Sequence, residues 1–232
     1  AVVERVNGRA PVIVGAGTNC TASTLELINA VEACGVDGLL VVGPYYNKPT
    51  QEGYYQHFAA VAKSTTLPII VYNVPGRTGS NIEPKTIARL AAEFPNIVAV
   101  KEAAGNVAQT AELFRVLPEN VTIYSGDDGL VLPFMSVGAR GVISVLANIG
   151  GQMLQDVMQL YSEGKVAEAA ELNKKLVPLA NSMFIESNPI PVKYAVTKVT
   201  GINAGAPRLP LTPLSEAGKE KLDAVLAEYN LV

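Results

Sequence analysis

The chain has 232 residues, of which 49% are hydrophobic and 17% charged, with a formal net charge of −3 at pH 7. That is the make-up of a globular chain of one or two domains with a large core, and its weak acidity gives no reason to expect nucleic acid or an anionic membrane as a partner. There is no apolar run long enough for a transmembrane helix, and Cys20, Cys34 and a lone His57 form neither a disulfide framework nor a metal-ligand spacing, so a reduced, cytoplasmic setting is expected.

In chain order, Ala1–Asn7 places Val2, Val3 and Val6 before Gly8 and reads as the end of a helix, without the pattern of a signal peptide. Short apolar runs follow at Pro11–Val14, Gly38–Val42, Pro68–Tyr72, Ile97–Val100, Val121–Tyr124 and Gly141–Ser144. They consist mostly of Val, Ile and Leu without polar alternation, which suits parallel strands buried on both faces. Helical spacing fills the gaps. Thr21 and Ser23 are cap candidates before Leu25, Leu27 and Ile28; Gln51–Ser64 follows, then a stretch after Pro84 with Ile87 and Leu90, and one from Val107 with Leu113, Phe114 and Leu117. Alternating strands and helices with short loops signal βαβ units. From residue 152 onward the spacing predicts helices only, at about 152–163, 166–184, 189–200 and 215–229, with breaks at Gly164, Asn188-Pro189 and the stretch 201–213. The expected organisation is a barrel portion over 1–163 and a C-terminal helical domain over 164–232.

Several motifs carry possible chemistry. Gly15-Ala16-Gly17 after the first strand lacks the third glycine and the acidic partner of a dinucleotide site, and a tight βα turn explains it. Asp127 and Asp128 follow the fifth strand. They serve either a divalent cation or, as the favoured reading, the cap of the next helix. His57 sits among aromatics and is assigned no role. Lys101 ends the fourth strand and so stands at the C-terminal rim, where parallel βα folds place their active sites. A lysine in a dry pocket loses its charge readily and becomes a nucleophile for carbonyls; the plainer reading is a lysine reaching solvent or paired with Glu102. Tyr72 ends the neighbouring strand, about 4.8 Å away, and a phenol there can shuttle protons for imine formation. Tyr45 and Tyr46 lie at the same rim, and Arg77 is placed to clamp a carboxylate.

Taken together, Gly43-Pro44-Tyr45-Tyr46-Asn47, the stretch from Tyr72 to Gly79, Val100-Lys101-Glu102, Ser125-Gly126-Asp127-Asp128, Gly141-Val142-Ile143-Ser144 and Asn188-Pro189-Ile190-Pro191-Val192-Lys193 resemble the dihydrodipicolinate synthase family over essentially the whole chain. The resemblance implies a (β/α)8 barrel with a C-terminal helical extension, in a homotetramer arranged as a dimer of dimers. It implies a lyase that condenses pyruvate with aspartate semialdehyde on the route to lysine and diaminopimelate. It makes Lys101 the Schiff-base lysine and Tyr72 the proton donor and acceptor. Tyr46 becomes a relay tyrosine given to a neighbouring subunit, and Arg77 the entrance arginine for the semialdehyde carboxylate. Gly126 and the Ile143 carbonyl become substrate contacts, and Asn19 and Tyr45 match allosteric positions. Ser23 stands where regulated members are acidic, so inhibition by lysine is not expected. Neither cofactor nor metal is implied.

The family's Gly-Thr-Thr-Gly-Glu segment does not occur in these 232 residues. With no initiator Met and six strands where the fold has eight, the expectation is a barrel lacking its first two βα units, some 50–60 residues. Two other readings are carried forward: N-acetylneuraminate lyase or a related sugar-acid aldolase, and a truncated non-catalytic homologue.

Overall fold

The computed structural model describes residues 1–232. Its contacts divide the chain into two compact units. One comprises residues 1–126 with 136–141, the other 127–135 with 142–232.

The first unit opens with helix α1 (Val2–Val6), which buries nothing and ends at Asn7 in the left-handed conformation. Strands then alternate with helices: β1 (Ile13–Gly15), α2 (Thr21–Glu32), β2 (Gly38–Val42), α3 (Gln51–Ser64), β3 (Ile69–Asn73), a short α4 (Pro75–Thr78), α5 (Pro84–Glu93), β4 (Ile97–Glu102), α6 (Val107–Val116) and β5 (Thr122–Ser125). A 3-10 turn (Asp128–Leu130) and α7 (Val131–Ser136), which belong to the second unit up to Met135, and β6 (Gly141–Val142) follow in the chain. The sheet order is β1-β2-β3-β4-β5-β6, with the ladders from β1 through β5 parallel. The order does not return on itself, and Ile13 on edge strand β1 is 43% exposed.

The central strands are dry on one face. Leu39, Val41, Ile69, Val71 and Val100 share that face of the sheet and have no exposed surface, whereas Leu40, Val42, Ile70 and Tyr72 on the other face are half-buried, so the runs expected to be buried on both faces are fully covered on one. Helix α3 presents Tyr54, Tyr55, Phe58, Val61 and Ala62, spaced one face of a helix apart, and α5 presents Thr86, Ile87, Leu90 and Ala91 in the same manner. Side chains cap α3 and α6: Thr50 Oγ1 accepts from Gly53 N at 3.1 Å, and Asn106 Oδ1 from Gln109 N at 3.1 Å. Helix α2 differs from expectation. Its cap position is Cys20, with no side-chain cap bond, and Thr21 and Ser23 lie inside the helix. Thr21 is instead drawn to His57, its Oγ1 lying 2.9 Å from Nδ1. Gly17 is required by close approach to the end of β2, for a Cβ there would stand 2.6 Å from the backbone nitrogen of Val42, whereas Gly15 ends β1 with open space beside it.

The second unit packs α8 (Ala147–Ser162), α9 (Val166–Ser182), α10 (Ile190–Thr200) and α11 (Glu216–Glu228) around Leu154, Val157, Leu176, Leu179, Ala195, Leu222 and Leu226. No helix of the chain is long and apolar enough to cross a membrane.

Candidate active site

The ends of β3 and β4 pair residue for residue, Tyr72 with Lys101 and Asn73 with Glu102. Side chains alternate across a strand, so the first pair shares one face of the sheet and the second pair the other. Tyr72 and Lys101 are half-buried. Lys101 Nζ lies 4.3 Å from the centroid of the Tyr72 ring, within reach of a cation–π attraction. Burial pushes the Tyr72 phenol above its ordinary pKa, with the nearby Arg77 charge pulling it partly back. The phenol therefore holds its proton at neutral pH and has one to give.

Tyr72 also lines a pocket of about 400 Å³ with Gly15, Gly17, Leu40, Val42, Tyr45, Val74, Arg77 and Thr78. That volume suits a small ligand. Lys101 is not among the lining residues and approaches from the next strand, across the Tyr72 ring. Arg77 is exposed on α4, a single turn closed by Gly79 at φ 80°. Its guanidinium supplies the pocket with a fork suited to a carboxylate.

The loop after β2 separates its two tyrosines. Tyr45 lines the pocket, whereas Tyr46 is 87% exposed and takes a positive φ of 76°. Tyr46 N donates to Thr78 O at 3.1 Å, tying this loop to α4. The same loop reaches Asn19, whose carbonyl accepts from Asn47 Nδ2 at 2.8 Å. Gly126, just after β5, donates its N–H to Glu102 O at 2.7 Å. A Cβ on it would lie 2.5 Å from Ala103 Cβ, so the approach to Ala103 requires glycine, and 3.2 Å from Lys101 Cε, where it would crowd the lysine stem. The first unit thus gathers Lys101, Tyr72, Arg77, Tyr45 and Gly126, with Asn19 joined through Asn47. Ile143 belongs to the second unit, half-buried after β6.

Asp127 caps the 3-10 turn that follows it, as expected, whereas Asp128 holds the turn ahead of α8. Asp127 Oδ1 accepts from Gly129 N at 2.9 Å, and Asp128 Oδ2 accepts from Val145 N at 3.1 Å and Leu146 N at 2.9 Å. His57, given no role from sequence, is a buried residue of α3.

In the sequence Glu102 stands out only as a possible partner of Lys101. The structure puts its carboxylate on the opposite face, with no exposed surface, among Asn73, Ala104 and Gln109. The signal was present: adjacent strands end in Tyr72-Asn73 and Lys101-Glu102, and strand alternation turns both second residues the same way.

Comparison with known proteins places these residues in a family. The model of the dihydrodipicolinate synthetase family matches residues 1–229. A 4-hydroxy-tetrahydrodipicolinate synthase from Desulforudis audaxviator is 48% identical over 231 residues, covering 100% of this chain and 78% of the relative. The enzyme of that name from Bacillus subtilis is 46% identical, covering 97% and 78%. Among solved structures, the dihydrodipicolinate synthase of Thermotoga maritima superposes with a TM-score of 0.95 at 43% identity, over 99% of this chain and 79% of its own. The chloride-inhibited synthase of Acinetobacter baumannii, complexed with pyruvate, superposes with a TM-score of 0.93 at 44% identity, over 100% and 79%.

Proposed function

The chain belongs to the dihydrodipicolinate synthetase family, and from that premise we propose that it condenses pyruvate with L-aspartate 4-semialdehyde through a Schiff base on Lys101. The observation that carries the assignment is the pairing of Tyr72 with Lys101 at the ends of β3 and β4, beside a pocket that also holds Arg77.

In this reading the neutral Lys101 amine attacks the keto carbon of pyruvate to form a carbinolamine. Tyr72 donates the proton that lets water leave, giving the imine. Loss of a methyl proton gives an enamine, whose carbon attacks the semialdehyde aldehyde. The semialdehyde's own amine then attacks the former keto carbon, expels Lys101 and closes the ring. The net reaction joins the two substrates with release of one water, giving 4-hydroxy-tetrahydrodipicolinate and regenerating the lysine. Arg77 holds the semialdehyde carboxylate, and a bidentate pair of this kind contributes a few kcal/mol. Gly126 leaves room beside the lysine stem, and the Ile143 carbonyl is assigned to the pyruvate-derived adduct. Asn19 and Tyr45 are assigned to a regulatory site, which the tie between their loops through Asn47 supports. The sheet is read as six successive units of an eight-unit (β/α)8 barrel, a reading that its sequential, parallel order supports, with residues 164–232 as its C-terminal helical domain.

Borohydride reduction in the presence of pyruvate should add a pyruvate-derived mass at Lys101. Label on another lysine, or on none, defeats the assignment. Arg77→Ala should leave this labelling largely intact while sharply weakening use of the semialdehyde. Equal loss of both would return the sugar-acid aldolase reading to first place.

A further inference from the structure

Behind the Tyr72–Lys101 pair lies a buried polar network that the proposed chemistry does not use. Asn73 and Glu102 are 1% and 0% exposed. Asn73 Nδ2 donates to Glu102 Oε2 at 3.0 Å and to Oε1 at 3.3 Å. Ala104 N donates to Oε1 at 2.6 Å, and Gln109 Nε2 donates to Oε2 at 3.2 Å. Asn73 Oδ1 in turn accepts from Ile82 N at 3.0 Å. Asn81 closes the ring, accepting from Asn73 Nδ2 at 2.8 Å and donating to Gln109 Oε1 at 2.8 Å.

The donors that reach Glu102, from Asn73, Ala104 and Gln109, meet a carboxylate that only accepts, the arrangement suited to an ionised Glu102. Burial raises the pKa of Glu102, and bonds from Asn73, Ala104 and Gln109 act against that rise. A buried charge is a poor source of stability, since an apolar pair of the same size does as well or better. What the network does supply is geometry. It fastens the residue after Tyr72 to the residue after Lys101. It also fastens the start of the β4–α6 loop, through Ala104, and the far end of the segment carrying Arg77, through Ile82.

We infer that Glu102 is a positioning residue, which holds Lys101 and Tyr72 in reacting register by clamping the opposite face of β3 and β4 through Asn73, Ala104 and Gln109. The inference rests on the Schiff-base reading above. Misplacing a nucleophile by about 1 Å costs on the order of a hundredfold in rate, so a clamp one residue away from it acts on turnover more than on binding.

Glu102→Gln tests this. The substitution keeps size and shape but turns one accepting oxygen into a donor that faces a donor. In the intact protein, borohydride trapping at saturating pyruvate should slow roughly tenfold or more per folded molecule, with the circular dichroism spectrum unchanged and KM for pyruvate altered about twofold at most. Adding Gln109→Glu restores a donor–acceptor match across that contact and should recover most of the trapping rate. Trapping in Glu102→Gln at the wild-type rate, or loss in proportion to unfolded protein, overturns the inference. A folded but still slow double variant also overturns it, because Lys101 would then need the charge at 102 and not the clamp. Absence of label on wild-type Lys101 would defeat the Schiff-base reading itself and this inference with it. Equal labelling of wild type and Glu102→Gln would defeat this inference alone.

Discussion

His57 is 4% exposed, with Thr21 Oγ1 at 2.9 Å from Nδ1, Phe58 edge-on to its ring, and no hydrogen-bond partner in the protein for Nε2. Burial moves its pKa from 6.5 down to about 4, because a charged imidazolium has little to solvate it there. The folded chain therefore holds the ring neutral, while the unfolded chain takes up a proton below its ordinary pKa of 6.5. Stability from this group is complete above pH 6.5, falls as the pH drops from 6.5 towards 4, and changes no further below. The full effect is on the order of 3 kcal/mol. Carboxylates titrate in part of the same window, so the useful quantity is a difference between two proteins. Urea midpoints measured from pH 7 to pH 4 should fall more steeply for the wild type than for His57→Gln. Parallel curves would show that His57 is not held neutral by the fold. A lone histidine in a helical stretch reads from sequence as packed or as solvated. Only the α3 face formed with Tyr54 and Phe58 decides between them.

At the scale of elements, what was legible follows from periodicity, and what was not follows from tertiary hydrogen bonds. Gly38–Val42 and Gln51–Ser64 keep their expected limits because apolar runs and an N-cap at Thr50 are local signals. The Gly141–Ser144 run is different, for only Gly141 and Val142 are strand. The chain leaves the sheet as the backbone N–H groups of Val145 and Leu146 turn to Asp128 Oδ2. Helix α8 then begins at Ala147, ahead of the expected 152. The expected start coincides with a real irregularity, the kink at Gly150 with φ −141° and ψ 35°, where Gly-Gly reads locally as a break. Asp128 is 2% exposed and so holds this turn from inside. Asp128→Ala should leave two N–H groups without their acceptor and lower stability by about 1–3 kcal/mol, seen as a reduced Tm. A Tm within a degree of the wild type would mean that the turn is held by packing alone. The pairing of Tyr72 with Lys101 was legible for the same reason as the strands, since each ends an apolar run. The Asn73–Glu102 pair follows from the same strand alternation, but its further partners Asn81, Ile82 and Gln109 come from segments that only the fold brings to it.

At the scale of the whole molecule, the question is whether one chain makes its own site. Tyr46 is 87% exposed and held at φ 76°, a conformation in which a bulky residue is strained. Strain at an exposed tyrosine persists where the surroundings demand it, and here Tyr46 N is bonded to Thr78 O beside Arg77. We propose that this ring works in the site of a second copy, relaying protons to its Tyr72. Two-fold symmetry would make the exchange reciprocal, each subunit lending its Tyr46. Because the exchange needs two copies, oligomer and activity must be tested together. Differently tagged Tyr46→Phe and Lys101→Ala chains, each inactive alone, should be coexpressed and the hybrids isolated. In a hybrid dimer the Tyr46→Phe subunit keeps Lys101 and receives an intact Tyr46, so one of the two sites should work. An unfractionated equal mixture should then show roughly a quarter of the wild-type activity, because half the dimers are hybrids with one good site. Isolated hybrids with no activity, or a wild-type protein that sediments as a monomer while fully active, would show that Tyr46 serves no partner.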